Sequence, residues 1–164
     1  MADAAGACAT VVLVLFLPLW LRLPRVWPPV TEQERALPSF LILPRDRAEF
    51  RRWAAGSVVW AAGEELAYRA FVLAYLGTWM PKPAALILSA GMFALAHGYQ
   101  GRRGALLAGI FGLVVGGAYL VVGFLYFAIA LHALWDIWVG YVLYRRLAAP
   151  TPVASAGPAT PATG

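Results

Sequence analysis

The chain has 164 residues, of which 62% are hydrophobic and 13% charged, with a formal net charge of +5. Its apolar residues come in long runs rather than at the spacing of a soluble core, which excludes an ordinary soluble domain and points to the membrane class. Its one cysteine, Cys8, rules out a disulfide framework or a cysteine metal site within one chain, and its basic residues bracket the apolar runs instead of forming a nucleic-acid patch.

Spanning helices are predicted at about 4–23, 53–78, 83–100, 105–122 and 124–144, so the expected fold is an all-α transmembrane bundle of about five helices. Cys8 lies in the first helix and reads as a small packing or lipid-facing residue. That helix has Asp3 before it and Arg22 and Arg25 after it, the reverse of a signal peptide, so it is expected to be retained with its N-terminus outside. Residues 1–52 then comprise this helix and a linker rich in Pro and Arg. Within the linker, PRDRAEFRRW at 44–53 suits a helix lying on the membrane surface, or a solvated charged loop. The turn TWMPKP places Pro81 and Pro83 at the start of the third helix, and Ala108, Gly112 and Gly116 put small residues four apart on the fourth. The core is thus expected over 53–147, with a disordered tail over 148–164.

Of the 13 Lys and Arg residues, eleven fall on one side of this five-helix arrangement, leaving Lys82 opposite and Arg69 inside the membrane. The positive-inside rule then puts the Arg-rich loops and the C-terminus in the cytoplasm.

Six residues stand out because ionisable groups in a spanning helix cost at least ~2.5–3.5 kcal/mol each. They are Glu64, Glu65 and Arg69 in GEELAYRA, His97 in FALAHG, and His132 and Asp136 in LHALWD. Glu65 and Arg69, four apart, share a helix face and can pair. Glu64 is turned about 100° away and has no cation on its own helix, which suits a general base. Asp136, four residues after His132, can orient that ring and stabilise its protonated form. Phe93 shares a face with His97 and can wall the site. Other readings of the same cluster are buried polar contacts between helices, a proton or ion pathway, and a zinc site built on His97 and His132 with a carboxylate, although HExxH is absent.

EELAYR at 64–69, FALAH at 93–97 and HALWD at 132–136 resemble, in order, the EExxxR, FxxxH and HxxxN/D motifs of the CAAX-protease and bacteriocin-processing (CPBP, or Abi) family of intramembrane proteases. The resemblance covers about 53–145 and includes the GxxxG pair Gly112 and Gly116. It implies an endopeptidase acting on a membrane-associated protein or peptide, in which Glu64 and His97 activate water while His132 and Asp136 stabilise the oxyanion, with Glu65, Arg69 and Phe93 in support. It implies no cofactor if the chain follows the glutamate-dependent CAAX enzymes, and zinc on His97 and His132 if it follows a metalloprotease scheme.

Two departures bear on this. Asp136 stands where the CAAX enzymes have Asn, so an ionised side chain there cannot donate to an oxyanion. Many relatives have about eight spanning helices, so substrate recognition by the additional ones does not carry over. A non-enzymatic immunity or scaffold protein of the same fold is the alternative function. Composition rich in Ala and Arg suggests a GC-rich bacterial genome, hence the bacterial inner membrane. The resemblance to bacterial members of the family implies substrates such as bacteriocin leaders or the C-terminal sorting signals of the myxosortase group. Helix rise puts Glu64 ~16 Å and His132 ~20 Å from the charged boundary but His97 only ~8 Å, a mismatch in depth that the fold must resolve.

Overall fold

A computed structural model describes Gly6 and residues 30–147. The predicted first helix and the predicted disordered tail lie outside the described residues. The described part is an all-α bundle.

It begins with α1 (Glu32–Arg35), whose capping box is complete: Thr31 Oγ1 accepts from the Glu34 N–H, and the Glu34 carboxylate accepts from the Thr31 N–H. A 3₁₀ turn (Pro38–Leu41) leads to α2 (Arg47–Glu65), where Asp46 Oδ1 accepts from the N–H groups of Ala48 and Glu49 at 2.7 and 2.8 Å. That cap starts the helix six residues before the sequence expectation. The predicted surface helix and the second spanning helix are therefore one continuous rod.

The rod runs on without a break through a π-helix (Leu66–Leu73) into α3 (Ala74–Leu76). After the Pro81 and Pro83 start, α4 (Lys82–Ala96) stops four residues short of its expected end, with His97 as its C-cap. A 3₁₀ turn (Gly98–Gln100) and Gly101 at φ +77°, a conformation that favours glycine, reverse the chain directly into α5 (Gly101–Val122). Gly123, left-handed at φ +69°, closes α5 before α6 (Leu125–Leu147).

Two helix pairs make the bundle. α4 and α5 are antiparallel and close: a Cβ on Gly112 would sit 3.4 Å from Ala90 Cβ and from Phe93 Cδ1, and one on Gly116 would run into Leu86. The small residues of α5 therefore let the two backbones approach. α2 pairs with α6 through Phe50, whose ring lies 5.9 Å from those of Tyr141 and Tyr144, and through Trp53, whose indole N–H donates to the Asp136 carbonyl at 3.2 Å. The pairs meet around Phe93, Phe111, Val115 and Ala128, flanked by Tyr68, Leu131 and Trp135.

Among the described residues, Gly98–Val122 and Leu125–Leu147 are long and apolar enough to cross a membrane, while Lys82–Ala96 is apolar but shorter. Most of the surface of the two long helices is exposed rather than packed in a core, and large apolar side chains such as Leu95, Leu106, Phe71 and Trp79 point outward. An apolar exterior on that scale is what lipid contact requires.

Candidate active site

The π-helix begins at the residue after Glu65, so the wider turn falls within EELAYR itself. π-turns are rare and concentrate at functional sites. Here the widened segment is tied to α4 by Ser89, whose hydroxyl donates to the Tyr68 carbonyl at 3.0 Å. The expected pair forms: Arg69 Nε lies 3.1 Å from Glu65 Oε2, with Arg69 2% exposed and Glu65 fully buried. The guanidinium also lies 4.8 Å over the Phe93 ring, and its two terminal nitrogens make no hydrogen bond. In a dry setting such a cation–π contact is worth ~2 kcal/mol and offsets part of the cost of burial.

Glu65 does more than the helical spacing indicated. Its other oxygen, Oε1, accepts from His132 Nδ1 at 2.7 Å, across 67 residues of sequence. The sequence expectation gave that orienting role to Asp136. Asp136 Oδ2 instead lies 3.7 Å from His132 Nε2, beyond hydrogen-bond reach and on the opposite ring nitrogen. Asp136 thus flanks the ring, and Glu65 holds it.

His97 is fixed in a parallel way. Its Nδ1 lies 2.8 Å from the Phe93 carbonyl, which can only accept, so Nδ1 carries a proton and in the neutral ring Nε2 holds the lone pair. Both imidazoles therefore turn Nε2 toward a single carboxylate oxygen: Glu64 Oε2 is 3.5 Å from His132 Nε2 and 3.9 Å from His97 Nε2. Glu64 is one-third exposed while both rings are nearly buried, so it is the group of the three that faces outward. The depth mismatch resolves in the same geometry. The Phe93 ring packs against both imidazoles, at 4.3 Å from His97 and 5.8 Å from His132, and Glu64 Oε2 lies 3.9 Å or less from both Nε2 atoms.

The structure thus gathers Glu64, Glu65, Arg69, Phe93, His97, His132 and Asp136 in one cluster. Two further residues complete it. Phe111 packs on His132 at 5.0 Å and stacks on Trp135 at 5.4 Å, with no signal in the sequence to distinguish it from the lipid-facing aromatics. Ser89 carried a signal, being a polar residue within the apolar α4.

The family model of type II CAAX prenyl endopeptidases, Rce1-like, matches residues 47–138, more than half of the chain. The chain belongs to this family. No curated protein and no solved structure matches it. The matched region opens at the first residue of α2 and ends two residues after Asp136, so it contains the whole cluster. Membership in the Rce1-like family implies proteolysis of the CAAX-protease type within the membrane, and with the two long apolar helices it makes the chain a membrane protein.

Rce1-like chemistry by metal would need ligands that converge. Among the described residues no three His, Cys, Asp or Glu side chains form a group able to hold one metal ion. His132 Nδ1 is already taken by Glu65 and His97 Nδ1 by a carbonyl, so only the two Nε2 atoms and Glu64 could turn toward a metal ion, and as they stand they are not gathered into such a group.

Proposed function

We propose that this protein is an intramembrane endopeptidase that hydrolyses a peptide bond in a membrane-associated substrate with Glu64 as general base and no metal. The observation that carries the reading is the convergence of two tautomer-fixed imidazoles on the partly exposed Glu64 carboxylate. Glu64 removes a proton from a water held with His97, and the hydroxide adds to the scissile carbonyl carbon. The carbonyl oxygen becomes an oxyanion, and His132 faces it through Nε2–H as an imidazolium. Glu65 at 2.7 Å supports that charge from the far side of the ring, and Asp136 at 3.7 Å from the near side. Collapse of the intermediate breaks the C–N bond, and the proton on Glu64 passes to the leaving amine. Asp136 need not donate to the oxyanion in this scheme, which removes the difficulty posed by Asp in place of Asn.

In this reading the Ala- and Arg-rich composition assigns the protein to a bacterial inner membrane, and the eleven basic residues on one side put its N-terminus outside and its C-terminus in the cytoplasm. Reporter fusions after Arg52 and after Arg146 should both read out as cytoplasmic, and a periplasmic signal from either breaks this topology. For the activity, new protein N-termini are mapped in membranes of cells carrying wild type or Glu64→Gln. Wild type should generate a discrete set that Glu64→Gln lacks; identical sets at equal protein levels would end the enzymatic reading.

A further inference from the structure

Two cavities of about 420 and 410 Å³ open at the end of the bundle where α2 begins and α6 ends. They share Leu41 and Arg45, and the second is a groove along α2. This groove is floored by Leu41–Pro44 on one side and by Trp53, Gly56 and Trp60 of α2 on the other, with Arg45 and Arg52 at the rim. Its one carboxylate, Glu49, is engaged by the Arg45 backbone N–H at 2.8 Å. Among the described residues, neither the Arg45 nor the Arg52 side chain takes part in an ion pair. The groove is therefore apolar at the floor and positively charged at the rim.

Its position relates it to the catalytic cluster. At 3.6 residues per turn, Trp53, Trp60 and Glu64 fall within about 40° of one another on α2, and the two indoles touch edge to face with ring centres 6.1 Å apart. Trp60 is one turn from Glu64, and Arg52 is twelve residues away, about 18 Å along the axis and about 120° around it, so its side chain meets the groove from the flank of that face. Asp136 joins the two places: its carbonyl holds the Trp53 indole, and its carboxylate lies beside His132 Nε2. A chain seated at Glu64 and extended along this face at about 3.3 Å per residue reaches the arginines after about five residues.

Building on the proposed peptidase reading, we infer that this groove is a substrate subsite, and that it takes an acidic residue next to an apolar one, four to six positions from the scissile bond. The apolar side chain lies against Trp53, Trp60 and Leu43, and the carboxylate between Arg45 and Arg52. The pairing of charge with an apolar floor selects an acidic peptide segment, and the helix face that Trp53 and Trp60 share with Glu64 assigns it to the substrate rather than to a lipid headgroup.

The test maps new N-termini in membranes of cells expressing wild type, Glu64→Gln, the double variant Arg45→Gln/Arg52→Gln, and the charge reversal Arg45→Glu/Arg52→Glu. Both arginines are exposed, so folding should be unaffected, and quantifying folded protein checks this. The Gln pair should lose about tenfold or more of the cleavage of substrates with an acidic residue at the stated spacing, and little of the rest. The reversal should shift cleavage toward substrates with a basic residue there. Unchanged cleavage by the Gln pair overturns the subsite. So does a loss spread evenly over all substrates, and if wild type in membranes depleted of anionic lipid shows the same even loss, the arginines belong to headgroups. If Glu64→Gln retains the full set, the peptidase reading itself has failed, an outcome separate from both.

Discussion

The adjacent carboxylates Glu64 and Glu65 occupy two unlike halves of the site. Glu65 is sealed, with one oxygen on Arg69 and the other on His132, whereas Glu64 is one-third exposed and reaches both imidazoles only at 3.5 and 3.9 Å. One peptide bond therefore separates a carboxylate fully committed to protein partners from one that is partly exposed and loosely held. The contrast shows how a membrane enzyme can hold several ionisable groups together: the inner half neutralises and orients, and the outer half keeps its chemistry free.

The sharpest way to break this division is at Glu64. Glu64→Gln and His97→Ala should each reduce cleavage by ~10²–10⁴-fold with folded yield unchanged, measured by proteolysis of an identified substrate beside size-exclusion profiles in detergent. Collapse of the fold in Glu64→Gln would show that the outer half is structural after all. Arg69→Ala probes the inner half. It leaves Glu65 buried and uncompensated, and breaking such a pair costs ~3–5 kcal/mol, so folded yield and thermal midpoint should both drop. Wild-type stability for that variant would dissolve the distinction.

Ser89→Ala sharpens the comparison more gently. Losing the hydroxyl that ties α4 to the π-helix should cost ~1 kcal/mol, and Ser89→Thr should recover part of it, read by denaturation in mixed micelles. The smallest effect is expected from chelation. Exhaustive treatment of purified protein with a strong chelator should leave activity within twofold. Both Nδ1 atoms are held as they are in many metal-bound imidazoles, which makes this a discriminating experiment. Activity lost to the chelator and restored by stoichiometric zinc would recast His97 and His132 as ligands.

Much of the arrangement was legible from residue spacing. Helical phase separated Glu64 from Glu65 and Arg69, and the ion pair at 3.1 Å bears out that the latter two share a face. The bond from Glu65 to His132 was not legible, because it depends on how α2 packs on α6, and a spacing of four made Asp136 the nearer candidate for the ring. The π-helix was hidden too. LAYRAFVL contains no glycine or proline to mark a change of winding, and the contacts that accompany it, Ser89 on the Tyr68 carbonyl and Arg69 over Phe93, are made with another helix. Asp46, by contrast, was a readable cap that the charge run around it obscured, so α2 starts earlier than its apolar residues suggested.

The uneven distribution of apolar character among the helices has a consequence for biogenesis. Among the described residues only the α5 and α6 stretches qualify for insertion by length and composition, yet they are synthesised after the helix bearing Glu64, Glu65 and Arg69. Those three lie in its apolar part, and the partners Phe93 and His132 that make two of them tolerable lie further along the chain. Its stable integration is therefore coupled to the arrival of the C-terminal hairpin. A ribosome stalled before α6 should leave the Glu64 region of α2 open to water-soluble labels that the full chain excludes, and the polar cluster would assemble only once α6 has arrived.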